Sequence, residues 1–186
     1  MTEQEAKELL LLALERLDEK LAETDCDPIE IRIVGGFAMI LHGIRETGFT
    51  QDIDSMTRDF EPHVKQLIAK TGKELGLKLG WLNADMVLDD PEIIEMIIGE
   101  TSFYDYGDYQ VLDVKVADLV TLLKLKIVAA GDMLLVQDDI EYERHAVDLV
   151  ALLKVLNIDS VDKLLKTAPL AEEYPELTRV IFSENE

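Results

Sequence analysis

The chain has little cysteine, few aromatic side chains and too little positive charge to balance its acids. Its single cysteine, Cys26, leaves no partner for an intrachain disulfide. Cys26 lies in Thr24-Asp25-Cys26-Asp27-Pro28, where neighbouring carboxylates disfavour a thiolate, so it reads as incidental and fits a reducing compartment. Aromatic residues make up 6% of the chain, so the core must rest on Leu, Ile and Val. The three histidines, His42, His63 and His145, show no metal-ligand spacing. Apolar runs are short and broken by Lys, Glu and Asp, which predicts no membrane span. The acidic, amphipathic start predicts no secretory leader, and the expected location is cytoplasmic.

Lys and Arg total 18 against 39 Asp and Glu, giving a net charge of −21. A polyanion repels phosphate backbones, so nucleic-acid binding through bulk charge is not expected. Solubility alone accounts for such a charge. It also suits a basic protein partner, or carboxylates that hold a cation.

What is present divides the 186 residues into two textures. Leu10, Leu14, Leu17 and Leu21 recur at helical intervals, and Thr2 and Glu5 have capping-box spacing, predicting a helix over 2–24. Ile29 to Val34 alternates and is rich in β-branched residues, predicting a strand. Gly35-Gly36 ends it, and Phe37 to His42 begins a short helix closed by Gly43. A second strand is expected over 51–56, a helix from Pro62 to Leu75 stopped by Gly76, and a turn at Trp81-Leu82-Asn83. A short helix over 91–98 and a hairpin over 103–116 follow. Beyond 117 the pattern is helical: 117–130, 138–156, 160–166 and about 171–182. This order predicts an α+β fold, a mixed sheet flanked by helices with an α-helical C-terminal part. The expected division is an α/β core over 1–116 and a helical part over 117–186 packed on it, as one domain or two.

Chemistry concentrates between Ile31 and Asp54. A Gly pair between strand and helix lets backbone approach a ligand closely and leaves N–H groups for a phosphate; an ordinary tight turn is the alternative. On a strand, Asp52 and Asp54 would project from one face, with Ile53 on the other. Adjacent carboxylates repel unless a cation neutralises them, and hard oxygen ligands suit Mg²⁺. A solvated strand end is the plainer reading.

Val34-Gly35-Gly36 followed by Asp52-Ile53-Asp54 resembles the signature of the nucleotidyltransferase superfamily. The fuller run, with Phe37-Ala38, His42-Gly43, Arg45 and Thr47, resembles the branch that includes abortive-infection toxin-type nucleotidyltransferases. The helical segment with Lys124 and Lys126, followed by Arg144 to Leu149 with Asp148, is similar to that branch too. Three departures stand out: a longer gap before Asp52, as if Gly48-Phe49 were inserted; His145 where an Asp is usual; and Arg144 in a Lys position.

The resemblance implies transfer of a nucleoside monophosphate from a nucleoside triphosphate to a hydroxyl acceptor. Asp52 and Asp54 would hold one or two Mg²⁺ ions, and Gly35 and Gly36 would cradle the phosphates. Arg45, Thr47 and Lys124 would contact the nucleotide. A third carboxylate is required on a neighbouring strand: Asp113 is the first choice, with Asp85 and Asp105 as competitors. The alternatives are a protein of the same fold without turnover, one half of a toxin–antitoxin or phage-defence pair, and a nucleotide sensor.

Overall fold

The computed structural model describes residues 3–24, 26–45, 50–57, 60–83 and 96–183. The chain forms two compact units, Met1–Ile93 with Phe103–Ala117, and Ile94–Ser102 with Asp118–Glu186.

The first unit contains α1 (Glu3–Ala22), β1 (Ile29–Val34), α2 (Gly35–Leu41), β2 (Ile53–Ser55), α3 (Pro62–Leu75), β3 (Leu82–Asn83), β4 (Phe103–Asp105) and β5 (Leu112–Ala117). Among the described residues the five strands form one mixed sheet in the order β3-β2-β1-β5-β4. β1 runs parallel to β5 and antiparallel to β2. Alternation then sorts the side chains. Ile31, Ile33, Ile53, Val114 and Val116 share one face and are buried. The opposite face carries Glu30, Arg32, Asp54, Asn83, Asp113 and Lys115. The helical spacing of α1 puts Leu10, Leu14, Leu17 and Leu21 into the core, each at most 1% exposed.

Asp18 fastens α1 to the start of β5. Its buried carboxylate accepts hydrogen bonds from the backbone N–H groups of Gln110 (2.8 Å), Val111 (2.8 Å) and Leu112 (2.9 Å). Removing a charged acceptor strands all three donors. Asp18→Ala should therefore cost about 3 kcal/mol or more in urea unfolding. A loss well under about 1 kcal/mol would show that the donors find other partners.

Two sequence expectations need correction here. Trp81-Leu82-Asn83 is not a simple turn, because Leu82 and Asn83 pair with Ile53 and Asp54 as β3. Alternation was too short to reveal a two-residue strand whose identity comes entirely from its partner. β2 is also shorter than expected, so Asp52 precedes the strand and only Asp54 lies on it. Of the helix expected over 91–98, residues 91–95 lie outside the described residues, and 96–98 are helical.

The second unit contains α4 (Leu119–Val136), α5 (Asp139–Val155), α6 (Val161–Thr167), a 3₁₀ segment (Pro169–Glu173) and α7 (Pro175–Ser183). The Asp118 carboxylate caps α4 by accepting from the Thr121 N–H at 2.7 Å. Gln137, in the left-handed region at φ 61, turns the chain back from α4 into α5. The single helix expected over 171–182 is split. Pro175 forces Tyr174 out of helical geometry, to φ −121 and ψ 59, so a 3₁₀ segment precedes α7. Among the described residues no helix is long and apolar enough to cross a membrane.

Candidate functional site

A glycine corner, two carboxylates and cations come together at the end of β1 in the first unit. β1 stops at Val34, and Gly35 takes φ +65, a conformation that lets the chain turn directly into α2. Val34 lies opposite Asp54 on the antiparallel neighbour β2. This register sets the Asp54 carboxylate against the Gly35 backbone so closely that a Cβ there would overlap Oδ2. The Arg45 guanidinium packs over Gly36 in the same manner, with Thr50 beside it.

The remaining contacts fix the carboxylates. Asn83 donates from Nδ2 to Asp54 Oδ1 at 3.2 Å, brought there by the β2–β3 pairing. Thr50 donates its hydroxyl to Asp52 Oδ1 at 2.9 Å and to the Asp52 carbonyl at 3.2 Å. Lys78 donates to Asp52 Oδ2 at 2.5 Å. These contacts orient the two acids, whose oxygens can each accept more than one partner.

Asp113 does not join this group. It lies on β5 opposite Glu30, four residues along β1 from Val34, which is about 13 Å of strand. There it is paired with Lys115 at 2.9 Å. Lys115 also bonds Glu30 at 2.6 Å, and hydrogen bonds to Glu30 first and Asp113 second raise its ammonium pKa. The apolar frame Val111-Leu112-Asp113-Val114 indicated a strand correctly but not which end of it would meet Asp54. That depended on the β1–β5 register. One residue beyond the last β1–β5 pair, Ala117 rather than an acid is level with Val34. Asp105 lies on edge strand β4 opposite Lys115 and is exposed. Asp85 and Thr47 lie outside the described residues.

Lys124 belongs to the second unit, where its Nζ donates to the Glu100 carbonyl at 2.7 Å. The buried cation of α4 is instead Lys126, which pairs with Asp148 on α5 at 2.6 Å. A lysine in Leu122-Leu123-Lys124-Leu125-Lys126-Ile127, apolar nearly all round, needs a buried partner, and that signal was present in the sequence. His42 acts as a packing residue: its Nε2 lies 2.8 Å from the Ala117 carbonyl, and its ring meets Tyr104 edge-on at 5.5 Å.

Comparison with family models, curated proteins and solved structures gave no match. Among the described residues no cluster of three or more His, Cys, Asp or Glu could hold a metal ion. Two carboxylates are nevertheless the protein share that Mg²⁺ takes when substrate phosphates and waters complete its shell. The donor set of Asp52 and Asp54 therefore fits a hard cation delivered with a phosphate ligand. It does not make a closed, all-protein metal site.

Thr50, Lys78 and Asn83 were missed from sequence. Thr50, two residues before Asp52, carried a readable turn signal. Lys78 and Asn83 carried none, because they arrive through the β2–β3 pairing.

Proposed function

We propose that the Asp52–Asp54 site binds a nucleoside triphosphate through Mg²⁺, as in nucleotidyltransferases, and transfers its nucleoside monophosphate to a hydroxyl acceptor, the acceptor oxygen bonding the α-phosphorus as the α–β phosphoanhydride breaks and pyrophosphate leaves. The observation that carries this reading is the seating of Asp54 against the Gly35 backbone, with Arg45 over Gly36 on the same corner. Asp52 and Asp54 would hold the cation. Gly35 and Gly36, having no side chains, let the Asp54 carboxylate and the Arg45 guanidinium close on the same corner, where a cation and a phosphate tail would meet them. Arg45 balances phosphate charge on one side of the corner, and Lys78 supplies a second cation beside Asp52. When bound, Mg²⁺ would neutralise the two acids and polarise the phosphoryl oxygens.

A second reading has its own support. Ala117 occupies the β5 position level with the site, and Lys115 precedes it on the same face, so β5 contributes no acid there. That favours a site that binds nucleotide without turning it over, as a sensor or as part of a protein pair with a basic partner.

The two readings separate on incubation with α-labelled nucleoside triphosphates, Mg²⁺ and cell extract as acceptor source. Transfer predicts label in a covalent product, and its loss in Asp54→Asn. Retained label released intact by EDTA, with no covalent product from any nucleotide, supports binding alone. No retained label in either form overturns both.

A further inference from the structure

Besides the apolar stripe that packs it on α4, α5 carries a second. Leu149, Leu152 and Leu153 form the buried stripe. On the opposite side Ile140, Val147 and Val150 are 75%, 59% and 55% exposed. A water-facing row of this kind is a candidate contact surface.

Its pattern specifies what would cover it. Positions 140, 143, 147, 150 and 154 alternate steps of three and four, the spacing of a coiled-coil seam. Glu143 and Lys154 flank the two valines, both exposed. Among the described residues neither takes part in an ion pair. The inner row therefore reads acid, Val, Val, base. Laid end for end against a second α5, Val147 meets Val150 of the partner subunit, and the reverse contact forms by symmetry. Glu143 then meets Lys154 of the partner subunit at both ends. A parallel pairing would instead set acid against acid and base against base. One copy of this row thus complements another only when antiparallel.

We propose that α5 is the contact of a reversible antiparallel homodimer, with Val147 and Val150 at its centre and Glu143–Lys154 pairs at its ends. The row carries one acid and one base, so its local charge selects its own inverted copy over a uniformly basic partner. The net charge of −21 opposes association at long range. One helix pair also offers less surface than the roughly 1,200 Å² of a standard stable interface, so micromolar or weaker affinity is expected.

Sedimentation equilibrium of the full chain at physiological salt, up to about 0.5 mM, tests this. Wild type should show a monomer–dimer equilibrium. Glu143→Lys alone and Lys154→Glu alone each create like-charge contacts, and each should weaken self-association about tenfold or more. Mixed in equal amounts they should recover wild-type association, because one chain then offers two lysines to the other's two glutamates. Wild type remaining monomeric throughout, single variants dimerising like wild type, or a mixture no better than its components would each overturn the proposal.

Discussion

Lys126→Met should destabilise the second unit by about 3–5 kcal/mol, because it removes the cation that pairs with the buried Asp148 carboxylate. Lys126 and Asp148 side chains are 10% and 2% exposed, and their 2.6 Å contact joins α4 to α5. Pairing offsets the desolvation of both ions, so removing one is far worse than removing both. The double variant Lys126→Met/Asp148→Leu should therefore recover most of the loss. Denaturant unfolding followed by far-ultraviolet circular dichroism measures each step. A single variant as stable as wild type would mean that the pair is open to water.

His145 adds a pH dependence to the same cluster. Its Nδ1 lies 3.4 Å from Lys126 Nζ. Burial first, and the Lys126 charge second, lower the His145 pKa below its ordinary 6.5, outweighing the opposing pull of Glu141 and Asp148. In the unfolded chain His145 regains an ordinary pKa near 6.5 and takes up a proton that the folded chain refuses. Its contribution to stability is thus complete above about pH 6.5 and is lost as pH falls through the lowered folded value. His145→Gln should flatten that part of the stability profile. An unchanged profile would remove His145 as its source.

If the corner binds Mg²⁺–nucleotide as proposed, Gly35→Ala should weaken that binding sharply while leaving most of the fold intact. The left-handed φ of +65 costs a non-glycine residue about 1–2 kcal/mol, and the new methyl overlaps Asp54 Oδ2. The carboxylate must move off the corner that it shares with Gly36 and Arg45. Affinity for Mg²⁺–nucleotide should fall about a hundredfold or more. Gly43→Ala separates strain from displacement: its φ is +68, but nothing lies within 4 Å of the added methyl. That variant should pay a similar conformational cost and bind nucleotide normally. Equal loss of binding in both variants would assign the effect to backbone strain at the two ends of α2, not to the carboxylate.

Local pattern was enough wherever a residue's role is set by its near neighbours in the chain. β1, the Pro62–Leu75 helix and its Gly76 stop followed from alternation, a first-turn proline and a left-handed glycine. The closeness of Gly35 and Asp54 was legible as a motif, because strand, glycine corner and returning strand are nearly contiguous. Register between distant segments was not legible. It displaced Asp113 to the far end of the charged sheet face and brought Asn83 and Lys78 to the site. In the helical part, Lys124 and Lys126 are two residues apart and point in different directions. The sequence supplied no means of telling which would meet Asp148 until α5 was placed against α4.

Isothermal titration of each nucleoside triphosphate into wild-type protein and into Asp52→Asn/Asp54→Asn, with Mg²⁺ and with EDTA, addresses the acidic pair directly. Saturable binding of at least one nucleotide should appear only with Mg²⁺ and only in wild type. Binding that ignores the metal, or that the double variant retains in full, would contradict a cation-bridged phosphate site at the end of β1.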